Sequence, residues 1–449
     1  MGDSEGMYTV DEALSTVGFG KYQALLLAYG GLGWIAEAME LMILSLIGSS
    51  LQSEWLLSPS QKSLISTVVF AGMLVGAYLW GFVSDTYGRK KGILGVTTIT
   101  SVAGLLSAFS PNYASLIVLR CVTGVGLGGM YIFNSWFLEF VPTPNRGVWM
   151  IVFSSFWTVG TILEAALAWI VVPSFGWRWL LALSSVPSFI VLVLYCLAPE
   201  SPRFLCAKGR INEARNILEK AASVNRKLLP SGILVSDQRQ DDSENTSLLS
   251  PRTDNAKSGS SSLLILFSRK LIRTNLLLWL LFFGNTFSYY GIVLLTSELS
   301  SDQSKCGGIA LHSQKSQNSS LYTDVFVTSL AEVPGLIFSA LIVDRVGRKL
   351  SMVTMFVLAS VLLLPLSTNP NKEVLTVVYP TEIRTSAVGI ASAIGKIGGM
   401  VCPLVAVGLV DACQQTYALI MFQVIILVSA LSVWFSPFET NGMNLSETL

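Results

Sequence analysis

Runs of about 20 apolar residues recur along this chain, and a helix of that length is what crosses the hydrocarbon core of a bilayer. They lie at roughly 22–48, 62–83, 92–110, 114–138, 147–172 and 178–198. After a long polar stretch they resume at roughly 272–296, 322–343, 350–367, 386–410 and 416–436. A backbone in lipid must satisfy its own hydrogen bonds, so the pattern specifies an all-α polytopic membrane protein with six plus five transmembrane helices. Composition agrees: 52% of residues are hydrophobic and 13% charged, against about a quarter charged in a soluble domain. The formal net charge of +1 argues against a nucleic-acid partner, which shows as a strongly basic domain.

Basic residues set the orientation, because Lys and Arg concentrate in short cytoplasmic loops. Arg89, Lys90 and Lys91 follow the second span, Arg146 follows the fourth, and Arg345, Arg348 and Lys349 follow the eighth. The long linker carries Arg203, Lys208, Arg210 and Arg215 near one end and Arg269, Lys270 and Arg273 near the other. The loops at 49–61 and 110–112 carry none. A cytosolic N-terminus follows, with the plasma membrane as the expected location. Three segments result: an N-terminal six-helix bundle over 1–198, a cytoplasmic linker over 199–270, and a C-terminal bundle over 271–449. The linker reads as a charged helix from Ile211 to Lys227, then as a disordered stretch rich in Ser, Asp, Asn and Gln. Met1 to Gly20 lacks the apolar core of a signal peptide and reads as a cytosolic segment.

Several function classes are excluded. No Gly-x4-Gly-Lys-Ser/Thr loop is present, no Cys-x-x-Cys pair occurs among the six cysteines, and His312 is the single histidine. No enzyme activity, metal or cofactor is expected. Cys306 and Cys413 can both face outward, so a disulfide is open to them. Asn318-Ser-Ser is a glycosylation sequon in the same outward loop.

One short pattern occurs twice. The second span ends Gly81-Phe-Val-Ser-Asp85-Thr-Tyr-Gly88-Arg89-Lys90-Lys91, and the eighth ends Ala340-Leu-Ile-Val-Asp344-Arg-Val-Gly347-Arg348-Lys349. Internal repeats of this sort build many transporters. The small residue admits a neighbouring helix, and the aspartate accepts bonds from an arginine or a helix N-terminus. The glycine permits a turn, and the basic residues anchor at headgroups. A plain positive-inside anchor explains one copy; two copies at equivalent places point to a shared latch.

The paired loops resemble the signature of the major facilitator superfamily. Pro199-Glu-Ser-Pro-Arg203-Phe-Leu, Arg120-Cys-Val-Thr-Gly124-Val-Gly126-Leu-Gly128-Gly129 and Pro437-Phe-Glu-Thr440 resemble motifs of its sugar-porter-like branch. Tyr8-Thr-Val-Asp-Glu-Ala-Leu14, Gly18-Phe-Gly-Lys21 and Trp34-Ile-Ala-Glu37-Ala-Met-Glu40 resemble the plant organic cation/carnitine transporter-like group, which includes nicotinate transporters. The resemblance implies twelve helices in two pseudo-symmetric bundles, a substrate between them near the midplane, and alternating access. It also implies a conformational latch made of Gly81, Asp85, Gly88, Arg89, Lys90, Arg146, Asp344, Gly347, Arg348 and Arg384.

Ionisable groups inside spans are costly and mark function by default. Glu37, Glu40, Arg120 and Glu164 are the candidates, with Glu332 a fifth. At about 1.5 Å per residue, Glu40 lies about 13 Å and Glu37 about 18 Å below the outer end of the first span, and Arg120 about 10 Å below the same face. An Arg120–glutamate pair is therefore allowed, either as a fixed ion pair or as a proton-coupling pair. Similar sugar porters couple protons through a first-span carboxylate and a fourth-span arginine. Aromatic walls with a few polar groups suit a small planar ring. Trp34, Trp157, Tyr289 and Tyr290, with Asn134 and Asn285, are the pocket candidates; Trp136 and Phe283 lie at similar depths.

The expected function is secondary active transport of a small organic solute by a proton-coupled monomer among membrane lipids. Nicotinate or a related pyridine compound could place its carboxylate on Arg120. An organic cation or carnitine could sit against Glu37, Glu40 and aromatic faces. A rival reading also stands. Between Leu366 and Ser386 the family pattern calls for a tenth helix, and Val374 to Tyr379 cannot span about 30 Å. One helix of the C-terminal half is thus expected to be missing, which suits a truncated isoform without transport, or a non-transporting membrane sensor.

Overall fold

The computed structural model describes residues 7–142, 146–235, 272–302, 322–323, 325–338, 348–368, 387–411 and 414–435. Asp344, Gly347, Arg384 and the Asn318 sequon lie outside the described residues, as do Cys306, His312, Cys413 and the stretch at 369–386 where a helix was expected to be missing. Arg348 begins a helix, but its side chain is not among those described.

The chain opens with strand β1 (Met7–Tyr8) and helix α1 (Val10–Val17), then runs α2 (Lys21–Leu46), α3 (Gly48–Trp55), α4 (Pro59–Tyr87) and α5 (Arg89–Ala108). Helices α6 (Tyr113–Leu127), α7 (Tyr131–Leu138), α8 (Arg146–Phe175), α9 (Trp177–Ser184) and α10 (Val186–Val193) complete the first half. A connecting segment holds α11 (Pro202–Ala207), α12 (Ile211–Asn225) and β2 (Ile233–Leu234). The second half contributes α13 (Ile272–Asp302), α14 (Val325–Phe338), α15 (Arg348–Thr368), α16 (Ala387–Asp411) and α17 (Gln415–Trp434). Among the described residues, eight helical segments are long and apolar enough to cross a membrane, and three shorter apolar helices join them in the second half.

Local chemistry sets the boundaries. Ser58 caps α4 by accepting from the Gln61 amide while Gln61 reciprocates, and Pro59 fills the first helical position, where its missing N–H costs nothing. Asn112 caps α6 in the same way through Ser115. Gly88 joins α4 to α5 at φ 108°, a backbone region open to glycine. The fourth span, read as one run, is broken between α6 and α7 at Gly128–Met130, where bonds shorten to the i→i+3 pattern.

Glycines on facing helices also explain the Gly124-Val-Gly126-Leu-Gly128 run. A Cβ at Gly124 would overlap the Val69 carbonyl of α4, and one at Gly72 of α4 would overlap the Cys121 carbonyl. Their absence lets two backbones touch, the usual basis of tight helix pairing in lipid.

The connecting segment corrects the disordered reading at its first described residues. β2 pairs in parallel with β1, Met7 opposite Ile233 and Tyr8 opposite Leu234. The pair, α1, α11 and α12 enclose a small core of Tyr8, Val10, Leu14, Leu205, Leu218 and Leu234. Apolar residues flanked by polar sequence found a partner far along the chain, which local periodicity cannot show. Asn225 fixes this cap to α2 by accepting from the Tyr22 amide at 2.9 Å and donating to Gln23 at 2.7 Å. The helix also ends at Asn225, because Arg226 turns left-handed at φ 56°.

Candidate functional site

Two buried polar sites follow from the helix arrangement. The first lies wholly within the first half. Arg120 of α6 donates to Glu40 of α2 at 3.1 Å, with side-chain exposures of 1% and 0%. Its guanidinium also donates to Ser107 Oγ at 3.1 Å and to the Gly104 carbonyl at 3.4 Å, both on α5. Glu164 of α8 stands nearby, bonded by the Ser184 hydroxyl of α9 at 2.7 and 2.9 Å and within electrostatic reach of Glu40 and Arg120. Three expected candidates are thus brought together, and Glu40 rather than Glu37 takes the arginine.

The second site lies where the halves meet. Glu37, one turn before Glu40, is 3% exposed, and among the described residues neither carboxylate oxygen has a hydrogen-bond partner. Facing it electrostatically is Lys396 of α16, 4% exposed. The Lys396 ammonium sits 3.7 Å from Met130 Sδ and 5.6 Å from the centre of the Tyr131 ring. Trp34 packs edge-on against Tyr131 and Trp157, and Tyr290 packs edge-on against Phe70 of α4. Trp157 Nε1 donates to the Tyr289 hydroxyl at 3.0 Å, and that hydroxyl donates to Glu332 at 3.2 Å. Among the described residues, Trp34 Nε1, Asn134 Oδ1 and Asn285 Oδ1 are buried without hydrogen-bond partners.

Trp34, Trp157, Tyr289 and Tyr290 thus form one aromatic cluster. Trp136 does not join it, since its indole donates to the Pro199 carbonyl at 2.9 Å inside the first half. Lys396 and Tyr131 were missed. The signal for Lys396 was present, because it is an ionisable residue inside the apolar run at 386–410 and the rule that selected Glu37 selects it too. No such signal marked Tyr131. Beside Glu37 a void lined by Gly33, Thr100, Phe133 and Ser188 has room for roughly one water.

Among the described residues, the Asp85 loop makes its contacts with the first half and with the start of the linker. Arg89 donates to Asp85 at 2.7 Å, to Glu139 at 3.1 Å and to the Ser84 carbonyl at 3.0 Å. The Lys90 amide donates to Glu200 at 3.2 Å, and its ammonium lies over the Tyr195 ring. Arg146 donates to Asp11 of α1 at 3.5 Å and to the Val141 carbonyl at 3.2 Å; Arg203 also pairs with Asp11. Glu139 and Glu200 were not foreseen as partners. Gly81 departs from expectation: no atom of the described residues comes within 4 Å of where its Cβ would stand. It lies on an exposed face of α4, so among the described residues no helix approaches there.

A family model for "Sugar (and other) transporter" matches residues 28–303. Organic cation/carnitine transporter 7 of Arabidopsis thaliana is 49% identical over 490 aligned positions, covering 100% of this chain and 98% of that protein. The chain belongs to the sugar-porter-like branch of the major facilitator superfamily. It is an integral, multi-pass membrane transporter of that type, not an enzyme, and its family handles small molecules. The synaptic vesicle 2-related protein of Pongo abelii is 34% identical, covering 99% of this chain and 83% of that protein. A D-xylose-proton symporter structure aligns with a TM-score of 0.66 at 16% identity, covering 95% of this chain and 100% of that one. At that identity the likeness speaks for the fold alone: the two-bundle facilitator architecture. The Arabidopsis alignment spans 490 positions against the 449 residues here, which leaves 41 positions of the relative without a counterpart inside this chain.

Proposed function

We propose that the chain is a proton-coupled secondary transporter that moves a small organic solute across the plasma membrane by alternating access. The observation that carries this reading is the sealed Arg120–Glu40 pair with Glu164 beside it. Two carboxylates and one guanidinium in a dry site leave one negative charge in excess, and a bound proton removes it. Glu40 is joined through a single helical turn to Glu37, which faces the other half, so protonation and packing of the halves share one helix.

Substrate binds between the halves, among Trp34, Trp157, Tyr289 and Tyr290, with Asn134 and Asn285 as polar partners. The name of the Arabidopsis relative supports an organic cation or carnitine, and the aromatic cluster suits a pyridine compound such as nicotinate equally well. The α1–α12 cap and the basic Asp85 loop sit on the cytosolic side, the loop contacts acting as the latch. Asn318 would carry the glycan, and a monomer suffices.

The test is uptake of labelled nicotinate and carnitine into proteoliposomes under an imposed pH gradient. Accumulation should follow the gradient, be lost in Glu40→Gln, and persist as exchange in that variant. Accumulation of either solute that ignores the gradient would sink proton coupling.

A second reading rests on the 41 unmatched positions, because one span with its loop takes about 20 residues or more. If that shortfall falls in the second half, this form folds without transporting. Uptake of neither solute, alongside uptake by a chain carrying the missing stretch, would establish it.

A further inference from the structure

We propose that the void beside Glu37 is a binding site for one buried water, and that this water and the Thr100 hydroxyl carry a proton between Glu37 and Glu40. The inference rests on the proton-coupled reading above, and it assigns the route the proton takes inside the first half.

Four polar side chains line the void: Glu37 of α2, Thr97 and Thr100 of α5, and Ser188 of α10. All are sealed, between 2% and 5% exposed. A buried water makes about three hydrogen bonds, and these partners meet that need. A threonine inside a helix often bonds the carbonyl one turn back, as Thr97 does to Ile93 at 2.8 Å and Thr98 to Leu94 at 2.7 Å. Thr100 does not. Among the described residues its hydroxyl has no partner, and neither do the two Glu37 oxygens or Glu40 Oε1. Gly126 of α6 makes room for that hydroxyl, since a Cβ there would stand 2.3 Å from Thr100 Oγ1.

Glu40 Oε1 lies 2.4 Å from where a Cβ at Gly104 would stand, and Gly104 is one turn along α5 from Thr100. That turn rises about 6 Å, which the flexible Glu40 side chain covers by swinging toward Thr100. A water and a hydroxyl each donate and accept, so they hand a proton on without storing it. Glu37, as the acid, gives its proton to the water. The water gives one of its own to Thr100 Oγ1, and Thr100 gives its hydroxyl proton to Glu40 Oε1. At the water and at Thr100 one O–H bond forms as another breaks, so both end unchanged. Glu37 ends as a carboxylate and Glu40 as a neutral acid. Lys396 of α16 and Tyr290 of α13 face Glu37 electrostatically, while Arg120 and Glu164 face Glu40. Lys396 supplies the counter-charge that Glu37 needs once its proton has left. The second half thus sets at which end of the route the proton rests.

The test is infrared spectroscopy of the carboxyl stretch on the purified full chain in lipid nanodiscs, titrated with acid and then exchanged into heavy water. Glu37→Gln and Glu40→Gln assign the two bands. Thr100→Val should slow deuterium uptake at Glu40 by ~10-fold or more, and Glu37→Gln should do the same. Thr100→Ser, which keeps the hydroxyl, should restore the rate. A water O–H band that moves in water labelled with heavy oxygen should be present in the wild type and lost in Thr100→Val. Unslowed exchange at Glu40 in both Thr100→Val and Glu37→Gln overturns the route. So does a Glu40 that takes up no proton across the titration, or the absence of the bound-water band. If Thr100→Val does not fold, Thr100→Ala against Thr100→Ser decides: equal rates overturn it. In proteoliposomes Thr100→Val should lose most gradient-driven accumulation while solute exchange persists. Intact gradient-driven accumulation in Thr100→Val sinks the route and leaves the coupling. Wild-type accumulation that ignores the gradient sinks the coupling, and the infrared rates then judge the route alone.

Discussion

Trp157 of α8 donates its indole N–H to the Tyr289 hydroxyl of α13, and that hydroxyl donates in turn to Glu332 of α14. Thr161 of α8 also donates to Glu332, at 3.3 Å. A polar bridge therefore leaves the first half, enters the second and returns. Each neutral hydrogen bond contributes about 1 kcal/mol net, and an orphaned buried partner costs about 1–3 kcal/mol. Tyr289→Phe removes the hydroxyl common to two of the bonds and should lower the midpoint of a thermal scan by about 2–4 °C. Trp157→Phe should cost little more in that background. A double-mutant cycle with a coupling below ~0.5 kcal/mol would show that the bridge is not holding the halves together.

The Arg120–Glu40 pair makes a different prediction, because it is sealed. Breaking a buried pair from one side leaves a stranded charge and costs about 3–5 kcal/mol, whereas replacing both members by apolar groups of similar size is often neutral. Glu40→Ala should be severely destabilised. The double variant Glu40→Met with Arg120→Met should recover most of the thermal stability while losing gradient-driven uptake. A double variant as unstable as Glu40→Ala would mean that the Arg120 bonds to Ser107 and Gly104 dominate the site.

How far the sequence revealed this site depended on which property was local. Apolar run length exposed the spans, and charge placed inside them exposed Glu37, Glu40, Arg120 and Glu164. Which glutamate meets Arg120 was not legible, since both are reachable from α6 and the choice belongs to how α2 and α5 pack. The partners of the Asp85 loop were hidden for the same reason: Glu139 and Glu200 are 50 and 110 residues from the arginine and lysine they meet. The strand pair of Met7–Tyr8 with Ile233–Leu234 is two residues long, too short for any periodicity to mark.

Outside the spans, Glu54 of α3 carries a pH dependence of definite sign. Partial burial pushes its carboxyl up, but bonds from Trp177 at 2.6 Å and Arg178 at 3.1 Å, with the guanidinium charge, outweigh it and hold the group below its ordinary 4.5. A depressed folded-state value stabilises above the unfolded value and loses that contribution as pH falls through the folded one. Wild-type protein should therefore melt above Glu54→Gln near neutral pH, and the gap should close as pH drops below about 4.5. The side chain is 39% exposed, so the gap is small and shrinks with salt. A gap that widened on acidification would contradict the assignment.

Two glycines of the same loop motif should respond to alanine with opposite signs. Gly88 holds φ 108°, and a Cβ there would overlap the Glu200 carboxylate, which accepts from the Lys90 and Ser201 amides. Gly88→Ala should thus cost on the order of 1–3 kcal/mol through strain, and more if Glu200 releases Lys90. Gly81 sits inside α4 with no atom of the described residues within 4 Å of a Cβ. There the substitution removes the helix penalty of glycine and should stabilise by roughly 0.5–1 kcal/mol. Thermal midpoints of the two variants test both signs at once. If Gly81→Ala also lowers the midpoint, a helix approaches α4 at that position after all, and the small residue belongs to the latch. If it raises the midpoint but slows uptake, the approach occurs only in the other conformation of the cycle.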